Sequence, residues 1–146
     1  MSDTPTLTPQ IVGQAENAHK PILDRILAPV GITRNEWIAL TLTVASGGAI
    51  ESGQLAARMT RALKIDDAEA AAAVGQLTAA RLMEAAEGLT VRLTDAGQAR
   101  YQEIRAAVTE VTDRAYGDIP AGDLATAARV LVTITERLSA EPGSAC

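Results

Sequence analysis

Residues 51–94, ESGQLAARMTRALKIDDAEAAAAVGQLTAARLMEAAEGLTVRLT, constrain the fold more than any other stretch, because the apolar spacing changes twice within it. Leu55, Ala56, Met59 and Leu63 recur at helical intervals, and Ala70, Ala73, Val74, Leu77 and Leu82 do so again. The spacing then shortens, so that residues 82–85 and 89–93 read as two strands turned at Ala86-Glu87-Gly88. Ser52 is expected to cap the first helix, and Asp66 with Glu69 forms a capping box for the second, which begins near Asp67. Ile50 is placed to add one strand-like residue to the hairpin. Helix, helix, hairpin: the chain is mainly α with one small β element.

The flanks are helical too. Residues 1–8 are polar and predicted to be loosely held, and Thr8-Pro9 is a cap followed by proline at the first helical position. Ile11, Ala15, Ala18, Ile22 and Ile26 carry that helix to about Ala28, with a kink expected at Pro21. Pro29-Val30-Gly31 turns the chain, and the capping box Thr33/Glu36 opens a second helix through Trp37, Leu40, Thr41 and Val44 until Gly47-Gly48 stops it. Beyond the hairpin, Thr94 caps a long helix from Asp95 to about Tyr116. A last helix, from about Pro120 to Ser139, carries Leu124, Ala127, Ala128, Leu131, Ile134 and Leu138 on one face.

At 146 residues this is a single domain with helical arms, and its core is an unusual one: alanine is abundant, Phe is absent and Trp37 is the sole Trp. Alanine-rich helices pack closely but bury little area each, which favours completing the core in a dimer. No run is apolar for long enough to span a membrane, and MSDTPTLTPQ lacks the basic-then-apolar pattern of a signal peptide. Cys146, the one cysteine, has no internal disulfide partner, so a cytoplasmic protein is expected.

Charge and chemistry exclude more than they assign. The net charge of −5 divides into three basic and four acidic residues over 1–50, five and six over 51–94, and five and eight over 95–146. No segment is basic overall, so a nucleic-acid surface would have to come from the placement of cations. One His and one Cys far apart provide no zinc or nucleophile cluster, and no cofactor site is legible. Asp66, Asp67 and Glu69 are adjacent carboxylates, but capping accounts for two of them and no reaction can be written around them. Catalytic residues and metal ligands are therefore not expected.

The order of these elements resembles the MarR family of transcription regulators. Gly31-Ile32-Thr33 with Trp37 to Leu40 is similar to that family's entry into its second helix, and Leu55-Ala56 to the start of its helix-turn-helix. Leu82 falls where the family has the leucine after its recognition helix, and Leu93-Thr94-Asp95-Ala96-Gly97 matches the LT-x-AG that follows the wing. The resemblance implies a winged helix-turn-helix lobe over 33–94 and dimerisation helices over 9–30 and 95–140. It implies a homodimer joined through positions such as Ile11, Ile22, Val111, Leu124, Leu131 and Ile134. It implies double-stranded DNA, as a short palindromic operator, for a partner. A small aromatic effector held between the dimer helices and the lobe would release the DNA, with His19, Trp37 and Tyr101 as its plausible neighbours.

Three departures bear on DNA reading. The recognition helix begins Asp66-Asp67-Ala68-Glu69, where the family usually has Ser, Thr, Arg or Lys, so the residues able to pair with base edges are Gln76 and Thr78 further along. The turn Ala86-Glu87-Gly88 is shorter than the family's wing and lacks its arginine tip. Residues 60–65 add about one helical turn between the two helices of the motif. The DNA-facing set is then Arg58, Arg61, Lys64, Asp67, Gln76, Thr78, Arg81 and Arg92. Arg58 and Arg61 share a face, suited to backbone phosphate or to ordinary solvated charge. Two functions follow: a sequence-specific, effector-released DNA-binding regulator, or a winged-helix dimer without direct DNA reading that serves as a ligand-sensing or protein-interaction module.

Overall fold

The computed structural model describes residues 5–142; the expectations attached to residues 1–4 and to Cys146 lie outside the described residues. Six helices, α1 (Pro9–Leu27), α2 (Arg34–Ala45), α3 (Ser52–Leu63), α4 (Asp67–Ala79), α5 (Asp95–Tyr116) and α6 (Ala121–Ser139), surround strands β1 (Ala49–Glu51), β2 (Met83–Ala85) and β3 (Thr90–Leu93). The mainly helical fold with a small β element is as the spacing predicts. No helix among the described residues is long and apolar enough to cross a membrane.

Helix boundaries follow their caps. Thr8 accepts a hydrogen bond from Ile11 N–H at 3.2 Å with Pro9 at the first position, and α1 runs unbroken through Pro21. Both capping boxes form. Glu36 N–H donates to Thr33 Oγ1 at 3.1 Å, Glu69 N–H donates to Asp66 Oδ1 at 2.8 Å, and each glutamate reaches back to its cap's N–H. Ser52 is not the cap of α3. Glu51 holds that place, its carboxylate accepting from Gly53 N–H at 2.9 Å, because Ser52 is already helical and gives its own N–H to the Leu89 carbonyl at 2.8 Å.

The sheet is larger than a hairpin. β1 pairs antiparallel with β3, Ile50 opposite Val91, and β2 pairs with the other edge of β3, Met83 opposite Leu93, giving the order β1-β3-β2. Three residues of β1, rather than Ile50 alone, are therefore paired.

α2 is the centre of the lobe. It packs against α1, α3, α4, α5 and the sheet, so it is buried on all sides and shows no single apolar face. Glu36, Trp37, Ala39, Leu40 and Thr43 are buried in it; Thr43 donates its hydroxyl to the Ala39 carbonyl at 2.7 Å, and the Glu36 carboxylate is held by the Thr33 N–H, so both buried polar side chains have a hydrogen-bond partner. Leu55, Met59, Ala70, Leu77, Met83 and Ile104 close around it.

The lobe joins the arm at one tight junction. α4 ends with Leu82 N–H donating to the Leu77 carbonyl at 2.9 Å and Arg81 N–H to the Thr78 carbonyl at 3.0 Å, with Arg81 in the left-handed region. Thr94, the cap of α5, donates its N–H to the Leu82 carbonyl at 3.1 Å and its hydroxyl to the Arg81 carbonyl at 2.7 Å. Gly97 lies against the same Leu82 carbonyl so closely that a Cβ there would sit 1.9 Å from the oxygen. Backbone cannot retreat as a flexible side chain would, so Gly97→Ala is expected to destabilise the fold by about 3 kcal/mol. Thermal unfolding at fixed protein concentration would read this as a Tm lower by about 10 °C.

Candidate nucleic-acid interface and ligand cavity

α4 presents a face without hydrogen-bond donors. Its inner stripe is Ala70, Ala73 and Leu77, all buried. At about 100° per residue the opposite side is Ala68, Ala72, Gly75 and Ala79, and all four are exposed. Gln76 and Thr78, two residues apart, fall on opposite flanks about 160° from one another. Thr78 has turned its hydroxyl to the Val74 carbonyl at 2.9 Å, and Gln76 borders a smaller cavity of about 190 Å³ together with Glu36, Ala80 and Arg100. Asp67 is exposed at the first position of the helix, beside the Asp66–Glu69 box.

The cations around α4 differ in their freedom. Arg58 donates to Ser46 Oγ at 3.3 Å, and Lys64 Nζ donates to Ser139 Oγ at 3.3 Å, bringing the end of α6 to the turn between α3 and α4. Arg92 is tied across the sheet to Glu84, its direct partner in register, with Nε 2.8 Å from the carboxylate. Arg61 and Arg81 are exposed, and neither makes a side-chain hydrogen bond or ion pair among the described residues. The wing is short: Ala86 N–H closes the hairpin on the Thr90 carbonyl at 2.8 Å, Gly88 takes a left-handed backbone, and the tip carries Leu89, 74% exposed.

A cavity of about 490 Å³ opens where α1 and α5 meet the start of α2. Ile22, Leu23, Ile26, Val108 and Val111 give it apolar walls, so the expected interface residues Ile22 and Val111 face this space. His19 and Trp37 line it as well. Tyr101 does not, but stacks on Trp37 with ring centroids 5.3 Å apart and planes 19° from parallel. At the rim, His19 Nδ1 donates to the Ala15 carbonyl at 2.6 Å, and because a carbonyl can only accept, Nε2 of the neutral ring is left to accept the Tyr116 hydroxyl at 2.5 Å. Arg34, also at the rim, is engaged with both oxygens of Asp24 at 2.9 Å.

Tyr116 and Arg34 are among the cavity residues that sequence reasoning missed. Tyr116 lies 97 positions from His19, and no local pattern connects them. A compositional signal was present nonetheless: Trp37, Tyr101 and Tyr116 are the chain's whole complement of Trp, Tyr and Phe, and all three gather at this cavity or directly behind its wall.

α6 meets the rest of the chain at its end, through Ser139 and Lys64, and along its length is little packed. It buries none of its residues and has no substantial packing against the other elements of its own chain. Leu131 and Leu138 on its apolar stripe are 38% and 62% exposed, while Leu124 and Ile134 are half-buried.

No family model matches this chain, and no curated protein sequence matches it. Solved structures do. NadR in complex with 4-hydroxyphenylacetate superposes with a TM-score of 0.72 at 21% identity, over 88% of this chain and 95% of that one. BpsR of Bordetella bronchiseptica, whose DNA binding is regulated by 6-hydroxynicotinic acid, gives 0.68 at 17% identity over 90% and 99%. The reduced form of MarR from E. coli gives 0.66 at 17% identity over 90% and 95%. Identities this low speak to architecture, and on that footing the chain has the winged-helix fold of the MarR-type regulators.

Proposed function

We propose that this protein is a transcription regulator, not an enzyme, that binds double-stranded DNA as a homodimer and responds to a small aromatic effector. One arrangement carries the reading: the cavity lies between arm helices α1 and α5 and lobe helix α2, so an occupant touches both bodies at once. Its walls suit an apolar ring, and the Tyr116 oxygen at the rim, whose proton is given to His19, can accept a hydrogen bond from a hydroxyl on that ring. The aromatic acids bound by NadR and acting on BpsR are of that class.

The uncovered stripe of α6 supports the homodimer, with Leu124, Leu131 and Ile134 buried against a second copy together with positions on α1 and α5 such as Ile11. Arg58, Arg61, Lys64 and Arg81 take phosphates, and Gln76, Thr78 and Asp67 flank the groove-facing side of α4. The Glu84–Arg92 pair, the acidic start of α4 and its Ala/Gly outer face favour a second reading, a ligand-sensing or protein-interaction dimer that does not read DNA.

Three measurements test these statements. Leu131→Glu places a charge in the stripe, and sedimentation should find the wild type dimeric and the variant monomeric; an unshifted dimer would remove α6 from the interface. Trp37, the only Trp, makes fluorescence a direct probe. Saturable quenching by 4-hydroxyphenylacetate or a related aromatic acid, weakened in Tyr116→Phe, is expected, and no response across such acids would exclude the cavity as their site. Binding to the DNA around the protein's own gene should fall with salt on a log–log slope of about −7 or shallower, since at most about four phosphates per subunit are within reach of a cation. A much steeper slope contradicts this surface, and a folded dimer that binds no duplex establishes the second reading.

A further inference from the structure

Both capping boxes use a glutamate, but the two glutamates sit in different surroundings. Glu69 is exposed, so water solvates its charge. Glu36 is 7% exposed, and among the described residues it is the one buried side chain that carries a charge. Its part in the cap needs a single acceptor oxygen. Oε1 takes the Thr33 N–H at 3.3 Å, and glutamine serves that position as well as glutamate does. An ionised carboxylate has about four acceptor sites on its two oxygens. Oε2 of Glu36 has no hydrogen bond or ion pair among the described residues, and it is not sealed off, because no inaccessible side-chain oxygen among them lacks a partner. Its access is the cavity of about 190 Å³ that Glu36 lines, where the turn before α2, the end of α4 and the second turn of α5 meet.

The opposite charge borders the same cavity without meeting it. Arg100 comes from α5 with its side chain 36% exposed, and its one ion pair among the described residues is to Glu103 on its own helix at 3.5 Å, a surface contact that holds a guanidinium weakly. No ion pair joins Arg100 to Glu36. Gln76 brings an amide, both donor and acceptor, from α4. Ala80, the C-cap of α4, brings the negative end of that helix dipole, and Ile32, Leu77 and Leu82 supply apolar wall.

We propose that this cavity is a binding site for a small zwitterionic α-amino acid. Glu36 Oε2 takes the ammonium together with Gln76 and the end of α4, Arg100 takes the carboxylate, and a short side chain rests on Leu77 and Leu82. Opposite charges that face one cavity without closing on each other are matched by a ligand that carries both charges and is neutral overall. A simple anion would lie beside the buried carboxylate, and a simple cation beside the guanidinium. The volume holds about six water-sized groups, the scale of alanine or serine. The site shares no lining residue with the larger cavity, and it depends on neither the DNA-binding reading nor the aromatic effector.

The test is isothermal titration calorimetry of the full chain with L-alanine and L-serine at millimolar concentration. N-acetylalanine and alaninamide, each lacking one of the two charges, probe the zwitterion. Saturable binding of both amino acids is expected, weakened about tenfold or more for either derivative. Glu36→Gln keeps the capping acceptor and removes the charge, and Arg100→Gln removes the cation from a partly exposed position. Each is expected to lower the affinity for alanine about tenfold or more, with the Tm of the free protein little changed. Glu103→Gln, which releases Arg100 from its helix neighbour, should bind at least as well as the wild type. No saturable heat with either amino acid makes this a water-filled cavity only and overturns the inference. Alaninamide binding as tightly as alanine overturns it in favour of a cation site, and unchanged affinity in either charge variant overturns it by placing the ligand elsewhere. If Glu36→Gln does not fold, Arg100→Gln and the two derivatives decide the question by the same readings.

Discussion

The Leu82 carbonyl is the point at which the two halves of the molecule are locked together. It accepts the N–H of Thr94, it faces the bare Cα of Gly97, and the residue before it is clamped by the Thr94 hydroxyl. Interatomic space at this point is smaller than a methyl group, so α5 cannot slide or roll on the end of α4 without breaking backbone hydrogen bonds. The arm and α4 are thereby one rigid unit at this end, and relative motion between arm and lobe has to occur elsewhere.

The other end of the lobe is where the fold leaves room. α1 and α5 diverge from α2 around a cavity of about 490 Å³, bordered by side-chain contacts: the His19–Tyr116 hydrogen bond between α1 and α5, the Asp24–Arg34 pair between α1 and α2, and the Trp37–Tyr101 stack behind its wall. Trp37 belongs to the helix that α3, α4, β1 and β3 pack against, and Tyr101 to the first turns of α5, one turn beyond Gly97. An occupant that displaces Trp37 or Tyr101 would therefore act on side-chain contacts between arm and lobe, away from the locked junction at Leu82. Differential contact with two dispositions of this kind is what a ligand needs in order to shift an equilibrium between them.

Much of this architecture was legible in the sequence, and for local reasons. Both capping boxes, the proline start of α1, the hairpin and the boundaries of α5 rest on interactions between residues close in the chain, which periodicity and cap chemistry report directly. Ser52 reads as a cap in the sequence, but its N–H is taken by Leu89, a sheet contact far along the chain. β1 shows only Ile50 in the apolar pattern, because Ala49 and Glu51 are exposed and carry no apolar signal; pairing with β3 is what reveals them. The spacing in α2 suggests one apolar face, whereas Thr43 is buried as deeply as Leu40, a consequence of being surrounded. The cavity was least legible. His19, Trp37 and Tyr101 stand out by residue type, while Tyr116 and Arg34 join them only once α1, α2 and α5 are assembled.

The donor-free outer face of α4 changes what specificity can mean for such a protein. Discrimination of one base pair from another through the major groove needs paired donors and acceptors, and Ala68, Ala72, Gly75 and Ala79 present none. Methyl groups and a glycine do allow the helix backbone to lie close over thymine methyls, and they leave sequence to be sensed through groove width and deformability. On the DNA-binding reading, the discriminating quantity then moves from the single lobe to the pair of lobes. Two weakly selective lobes at a fixed separation select for half-site spacing, and that spacing is set by α6 and the arm helices of the dimer, with α5 locked to α4 through Gly97. On that reading, weak base reading makes half-site spacing the parameter on which recognition depends most.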